Sequence, residues 1–324
     1  MTDTTGPATI LVSGKVHEHV VARIDKAFRL VTIERPDPSL LSDEDIAAVR
    51  GLTAFGNVDA ALIDAFPNLE IIANFGVGYD SVDAVHAASK NIMVTNTPDV
   101  LTEEAADLTV GLLLAVLREI PKAEAWLRQG RWGGQGAYRY SPLSLRGRSI
   151  GIFGLGRIGR AVARRLEAFD VPIAYHNRRP VADISYAYHP TLEGLAKAVD
   201  TLVCIAPGGA ETQKAINARI LKALGPEGVL INTGRGSTVD EEALAAALED
   251  GTIAAAGLDV FADEPHVPQV LLGAPNTVLL PHIASASVRT RRAMADLCVD
   301  NLVSWFVEKK ALTPVPETAH VKAR

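Results

Sequence analysis

The sequence predicts an α/β protein built from two doubly wound parallel sheets, and three observations carry that reading. Short runs rich in β-branched residues alternate with amphipathic helical stretches almost from end to end. Those runs are apolar at successive positions, as strands covered by helices on both faces require. The chain has 324 residues, more than one hydrophobic core normally serves.

Thr9–Ser13 reads as the first strand and His17–Phe28 as the helix after it. Leu30–Glu34 is a second strand, and Asp43–Arg50 a helix starting at an acidic N-cap. Strands Leu52–Phe55, Glu70–Asn74 and Ile92–Thr95 follow, with helices around Val58–Ala65 and Val82–Ser89 between them. The rhythm changes after Asn96-Thr-Pro-Asp99. Leu101–Arg131 is a long helical stretch with acids early, Leu and Val at helical spacing, and a break expected at Pro121. A Gly/Trp/Tyr-rich segment, Gly130–Gly136 and Tyr138–Tyr140, comes next. The alternation then restarts with strand Ser149–Phe153, helix Arg157–Phe169 and strands Pro172–Tyr175, Thr201–Ile205 and Val229–Asn232. Helix Asp240–Glu249 and strands Ile253–Leu258 and Val278–Leu280 complete it. A last helix, Ser285–Glu308, precedes a proline-containing tail expected to be poorly ordered at its end. The segments divide as 1–100, 101–285 and 286–324, the last returning its helix to the first domain.

Composition excludes several function classes. The chain is 48% hydrophobic and 22% charged, values of an ordinary globular protein and not of a disordered one. Lys plus Arg total 32 against 38 Asp plus Glu, so the net charge of −6 gives no global electrostatic reason to bind nucleic acid or an acidic membrane surface. Two cysteines, Cys204 and Cys298, are too few for a disulfide scaffold and suit a reducing cytosol. Met1–Pro7 has no basic segment followed by an apolar core, and the longest strongly apolar run, Val110–Leu117, is far short of a membrane span. The expectation is a soluble, cytoplasmic protein.

Gly154-Leu-Gly156-Arg-Ile-Gly159 stands directly after a strand and directly before a helix. Gly154 permits a tight turn, Gly156 lets a pyrophosphate approach the backbone, and Gly159 lets helix and strand pack closely. The free amides and positive dipole end of the helix then face the phosphates. In that context the motif reads as a Rossmann-type dinucleotide site, not as a structural turn without a ligand. An NAD site wants an acid about 20 residues further on. Here the strand ends in His176-Asn-Arg-Arg179. Asn177 can hydrogen-bond a 2′-phosphate, and Arg178 and Arg179 can pair with it, which tilts the reading to NADP, with NAD as the lesser choice. The bland alternative is that both arginines are solvated loop charges.

Three further strands each deliver a polar residue at the C-terminal edge, where open α/β sheets bind ligands. Val229–Asn232 leads into Thr233-Gly-Arg235-Gly236, Ile253–Leu258 into Asp259 through Asp263-Glu264-Pro265, and Val278–Leu280 into Pro281-His282-Ile-Ala-Ser285. An Arg, a Glu and a His converging on a nicotinamide form a set suited to reducing a 2-oxo acid. The Arg clamps the carboxylate and polarises the carbonyl, the His delivers a proton, and the Glu keeps that His charged and oriented.

With these motifs, and with Asn74-Phe-Gly-Val-Gly-Tyr-Asp80 and Asn96-Thr-Pro-Asp-Val-Leu-Thr-Glu103, the chain resembles the D-isomer-specific 2-hydroxyacid dehydrogenase family, particularly its glyoxylate/hydroxypyruvate reductase branch. The resemblance covers almost the whole chain. It implies that Arg235 binds substrate, His282 is the acid/base and Glu264 its partner. It implies that the Val77 and Gly78 amides hold the substrate carboxylate, with Ser285 also at the substrate. Cofactor contacts are implied for Gly154, Leu155, Gly156, Arg157, Ile158, Gly159, Asn177, Arg178, Arg179, Ile205, Ala206, Pro207, Thr212, Thr233, Gly234, Arg235, Asp259, His282 and Ala284, with Asp259 at the nicotinamide carboxamide. The implied layout is a discontinuous substrate domain around a coenzyme domain that closes over the substrate.

Each residue also has a plain structural reading. Asp263 competes with Glu264 as the carboxylate for His282; the family pattern, which puts the acid before the proline, selects Glu264. Gly76 and Gly78 can be turn glycines, Cys204 reads as a buried thiol, and the other histidines show no metal-ligand spacing, so no metal is expected. The segment between Arg128 and Arg146 is either a plain connection or, as the resemblance implies, a homodimer interface with Trp132 reaching toward the partner's substrate pocket. The function expected is NADPH-dependent reduction of glyoxylate to glycolate and of hydroxypyruvate to D-glycerate. The rivals are an NAD-dependent D-3-phosphoglycerate or other D-2-hydroxyacid dehydrogenase and, from another class, a nucleotide-sensing binding protein like the co-repressors of this fold.

Overall fold

The computed structural model describes residues 7–54 and 56–323. They form two compact units, one running through Leu101 and resuming at Ser287, the other Thr102–Ala286.

The first unit carries strands β1 (Thr9–Ser13), β2 (Arg29–Ile33), β3 (Val49–Ala54), β4 (Ile71–Ala73) and β5 (Met93–Thr95), with helices α1 (Glu18–Ala27), α2 (Asp43–Ala48), α3 (Ala60–Asp64) and α4 (Ala84–Ser89). The strand order is β2-β1-β3-β4-β5, parallel throughout. Successive side chains point to opposite faces, and both faces are covered. Ile10, Val12, Ile71, Ala73 and Met93 meet Val20 and Ile24 of α1 and Ala295, Val299, Leu302 and Trp305 of the C-terminal helix. Leu11, Leu52, Ile72 and Val94 meet Leu62 and Ile63 of α3 and Ala84 and Ala87 of α4.

The second unit carries helices α5 (Thr102–Leu117), α6 (Ile120–Arg128) and α7 (Arg131–Gln135), then strand β6 (Ile150–Phe153) and helix α8 (Arg157–Glu167). Strands β7 (Ile173–His176), β8 (Ala187–Tyr188), β9 (Thr201–Cys204), β10 (Val229–Asn232), β11 (Ala255–Leu258) and β12 (Thr277–Leu279) complete its sheet. Helices α9 (Leu192–Ala198), α10 (Ala218–Leu224), α11 (Glu241–Glu249) and α12 (Gln269–Leu272) lie between them. The order β12-β11-β10-β9-β6-β7-β8 is the Rossmann order extended by one strand. Val203, Val229 and Ile231 face α5 and α8, while Leu202, Cys204 and Leu230 face α9, α10 and α11. The direction of winding reverses between β6 and β9, so the loops after those strands frame a crevice at the C-terminal edge.

Several sequence expectations are corrected at element ends. The last helix, expected from Ser285, is α13 (Val288–Glu308), because Ser287 caps it by accepting from the Thr290 amide at 3.2 Å. The helix expected to begin at an acidic cap is capped instead by the Ser42 hydroxyl, which accepts from the Asp45 amide. It stops at Ala48 because Val49 pairs into β3. Phe55, the expected end of that strand, lies outside the described residues, as do the first six residues of the expected leader-free start. The long stretch breaks at Glu119, which takes a left-handed conformation (φ 51°), and Pro121 sits in the first turn of α6. Helices α7, α9, α10 and α12 and strand β8 add to the elements read from the pattern. The tail is not loose: Val315 and Val321 are buried, and the Thr318 hydroxyl accepts from the Val94 amide at 3.0 Å. Among the described residues, no helix is long and apolar enough to cross a membrane.

Thr318 is fully buried and bonds β5 through its hydroxyl. Thr318→Val keeps its shape but orphans the Val94 amide, so it should destabilise the first unit by about 1–3 kcal/mol. Urea denaturation followed at Trp305 fluorescence measures this; an unchanged midpoint would show that the tail does not hold the sheet.

Candidate active site

The glycine turn follows β6. A Cβ on Gly154 (φ +100°) would lie 2.7 Å from the Ala206 amide nitrogen, and one on Gly159 would collide with the Gly154 carbonyl. Packing within the protein therefore requires both glycines. A Cβ on Gly156 would meet nothing within 4 Å, and Gly156 offers no side chain to cap the first amides of α8. Open space over an uncapped helix start is what a dinucleotide pyrophosphate needs, so the residues present fit the coenzyme.

The neighbouring groups divide between ligand and scaffold. Leu155 is buried, and Ile158 is half-buried against the same core. The Asn177 carboxamide oxygen accepts from the Leu155 amide at 2.7 Å, so this residue, expected to hydrogen-bond a 2′-phosphate, also braces the glycine turn. Arg157 and Arg179 are exposed. Arg178 reaches Glu211 at 3.1 Å, but with side chains 85% and 72% exposed the pair is weak and readily exchanged for a phosphate. After β9, Ile205 is half-buried and Ala206 buried, and the Thr212 hydroxyl donates to the Pro207 carbonyl at 2.7 Å, closing the loop.

The loop after β10 is fixed by Asn232, a fully buried side chain. Its oxygen accepts from the Gly234 amide at 3.1 Å, and its nitrogen donates to the Arg235 carbonyl at 2.9 Å. The Thr238 hydroxyl donates to the same carbonyl at 2.6 Å. Gly234 lies against the backbone of Ala206, and a Cβ on Gly236 would overlap the Phe261 carbonyl group. The loop bearing Arg235 is thus pressed onto the loop bearing Glu264. Thr233, half-buried at the strand end, meets the Thr109 hydroxyl at 2.7 Å.

Asp259 organises the histidine. It is fully buried, and its two oxygens accept from the Ile283 and Ala284 amides at 2.8 Å each, while its carbonyl accepts from the His282 amide. Burial pushes its carboxyl above the usual range, against the two amide bonds. His282 itself is held at φ 53°, a backbone region that a non-glycine residue occupies only when its surroundings impose it. Its Nδ1 is 2.7 Å from a Glu264 oxygen, and the other Glu264 oxygen accepts from the Phe261 amide at 3.0 Å. Burial alone would raise the Glu264 carboxyl. The His282 and Phe261 hydrogen bonds and the charges of His282 and Arg235 outweigh it and hold the carboxyl below the usual glutamate range. Glu264 is therefore an ionised acceptor, Nδ1 carries a proton, and Nε2 is the ring nitrogen left for chemistry. Asp263, the competing carboxylate, faces solvent near His266. Ala284 and Ser285 are buried beside the histidine.

In the first unit, the loop after β4 carries Val77 and Gly78. The Asn74 side chain donates to the Gly76 and Gly78 carbonyls, the Thr97 amide to Gly76, and the Asn96 side chain to the Val77 carbonyl. In a planar trans peptide, N–H and C=O point opposite ways. Holding the Gly76 and Val77 carbonyls inward therefore turns the Val77 and Gly78 amides outward. Burial pushes the Cys204 and Cys298 thiols up to about 11, so neither is a nucleophile. Among the described residues, no group of three or more His, Cys, Asp or Glu could hold a metal ion.

Residues 110–284 match the family model for the NAD binding domain of D-isomer specific 2-hydroxyacid dehydrogenases. The chain is 44% identical over 309 residues to glyoxylate/hydroxypyruvate reductase A of Arabidopsis thaliana, covering 94% of this chain and 98% of that protein. It is 46% identical over 310 residues to hydroxyphenylpyruvate reductase of Plectranthus scutellarioides, with the same coverage. Among solved structures, the NADPH-dependent glyoxylate/hydroxypyruvate reductase of Sinorhizobium meliloti, in complex with NADP and malonate, is 60% identical. It superposes with a TM-score of 0.96 over 98% of this chain and 99% of that one.

The lowered Glu264 carboxyl sets a pH window. A depressed folded value means that the ionised pair stabilises the fold above the ordinary glutamate value, and that this contribution is lost as pH falls through the folded value. Thermal denaturation of wild type and Glu264→Gln should show a gap that is constant near neutrality and closes in acid. A gap that persists unchanged into strong acid would rule out the charged pair.

Proposed function

Since the chain belongs to the D-isomer specific 2-hydroxyacid dehydrogenase family, we propose that it is a reductase of small 2-oxo acids. Glyoxylate and hydroxypyruvate are its first substrates, giving glycolate and D-glycerate, with NADPH preferred over NADH. The observation that carries the reading is the 2.7 Å pair between His282 and an ionised Glu264, on a loop pressed against the one bearing Arg235. When bound, the coenzyme supplies the hydride that reaches the keto carbon. Arg235 binds the acid and draws charge onto the carbonyl oxygen as it develops. His282 gives the proton on Nε2 to that oxygen, and Glu264 stabilises the imidazolium through Nδ1 and fixes the ring. The outward amides of Val77 and Gly78 suit a carboxylate, and we assign them that ligand. Ser285 is assigned to the substrate as well.

Specificity for NADPH rests on the end of β7, which offers Asn177, Arg178 and Arg179 and no acid to repel a 2′-phosphate. The Sinorhizobium relative is described as NADPH-dependent, in keeping with that choice. Asp259, its oxygens already engaged by backbone amides, contributes by setting His282; the carboxamide contact implied by resemblance would be additional to that work. The names of the relatives do not favour the phosphoglycerate dehydrogenase or co-repressor readings. The homodimer reading is supported by exposed Ile120, Leu127, Trp132 and Tyr140 clustered in and just beyond α6 and α7. A cytoplasmic location is supported by the two buried free thiols.

His282→Asn should lower kcat for glyoxylate reduction by about two to four orders of magnitude while NADPH binding, measured by fluorescence titration, is retained. Near-wild-type turnover would sink the assignment. Replacing Arg178 and Arg179 with Ala should weaken NADPH by about tenfold or more and leave NADH nearly unchanged. Equal losses for both coenzymes would refute the 2′-phosphate role.

A further inference from the structure

The loop that carries Glu264 is held at two adjacent amides, each by a carboxyl group. The Phe261 amide donates to a Glu264 oxygen at 3.0 Å, and the Ala262 amide donates to a Glu241 oxygen at 2.8 Å. The other Glu264 oxygen is 2.7 Å from His282 Nδ1. Glu241 is the first residue of α11 and is only 8% exposed. Burial pushes its carboxyl up, the Ala262 bond and the Lys214 charge oppose that, and Asp240 and Asp263 add to the rise. Burying a carboxyl costs free energy that only its hydrogen bonds offset, and the bond Glu241 makes is to the loop before Glu264. Glu241 belongs to the segment that starts at Arg235, in which Gly236 also lies against Phe261.

We propose that Glu241 is a positioning residue: by accepting from the Ala262 amide it fixes the turn from Phe261 to Glu264 and so keeps Glu264 within hydrogen-bond reach of His282. The inference rests on the acid/base role given to His282 above. Without that acceptor the Ala262 amide must find another partner, the turn shifts, and Glu264 draws away from Nδ1. An imidazolium with a weaker carboxylate partner gives up its proton at lower pH. Reduction needs the protonated ring, so its descending limb moves toward acid. Arg235 and Asp259 are the other charged groups around the His282–Glu264 pair. Since Glu241 can itself add negative charge nearby, the bond and the charge are separated by substitution. Glu241→Gln keeps an acceptor oxygen and removes the charge; Glu241→Ala removes both.

The test is the pH profile of kcat/KM for glyoxylate at saturating NADPH. Glu241→Ala should move the descending limb to lower pH by about one unit, roughly a tenfold loss along that limb. Glu241→Gln should keep the limb close to that of wild type. Rates that fall equally at every pH, with the limb in place, would mark a merely structural role and overturn the proposal. A limb displaced as far in Glu241→Gln as in Glu241→Ala would assign the effect to charge and overturn it as well. Should Glu241→Ala fail to fold, Glu241→Leu, which fills the space and offers no acceptor, carries the same expectation. NMR titration of the His282 ring reads the same shift without turnover. A chain that reduces no glyoxylate therefore refutes the substrate reading, while the ring titration still decides the role of Glu241.

Discussion

The candidate site depends on how closely neighbouring backbones approach at the C-terminal edge of the seven-stranded sheet. Parallel strands hold their backbones about 4.8 Å apart, and loops leaving them must normally diverge to make room for side chains. Here they converge. Gly154 and Gly234 both lie against the Ala206 backbone, and Gly236 lies against Phe261. Each contact removes a side chain that would wedge two loops apart. The glycine turn after β6, the loop bearing Arg235 and the loop bearing Glu264 are therefore one continuous layer of main chain. Arg235 and Glu264 are placed by backbone geometry, with little contribution from long, adaptable side chains.

On that layer, charge is handled by two carboxylates with opposite environments. Asp259 is sealed from water and serves backbone amides, which fixes the unusual main-chain conformation of His282. Glu264 is less buried and serves the imidazole itself. One acid determines where the ring stands and the other determines which ring nitrogen holds the mobile proton. Exchanging their tasks would fail on both counts: a carboxylate pushed up by burial is a poorer partner for an imidazolium, and a solvated one is a poorer anchor for amides.

The fold class and most strands were legible because both faces of each sheet are covered, which makes Val229-Leu-Ile and Ile71-Ile-Ala apolar at every position. The motif residues were legible because glycine, arginine and histidine at strand ends are poorly explained by packing. Less visible were the residues that brace the loops. Asn74, Asn96, Asn177 and Asn232 each stand at or just past the end of a strand and bond the backbone of a site loop. The signal was present, since asparagine at a strand end is a turn-forming residue, but the same residue type is equally at home in any solvated turn. Thr109 had no local signal: in sequence it is one polar residue in an apolar helix, and its bond to the end of β10 emerges only when the fold delivers Thr233 beside it. Helix starts were misplaced where a serine cap was not recognised: Ser42 caps one position before the acid that pattern reading favoured, and Ser287 caps two positions after the expected start at Ser285.

The buried tail has a bearing on how the molecule is made. One face of the five-stranded sheet is closed by α13, and Thr318 completes β5's hydrogen bonding from more than two hundred residues away. During synthesis, the Thr102–Ala286 unit has all its strands and helices before those last residues leave the ribosome. The first unit, whose strands are made earliest, is completed last. Its apolar strands, Ile10, Val12 and Ile71 among them, have only Val20 and Ile24 of α1 to cover that face while the inserted unit forms. That interval is the stage at which the chain is most vulnerable to strand-edge association. The order of synthesis thus runs against the order of completion, and α13 closes a core whose strands were made first.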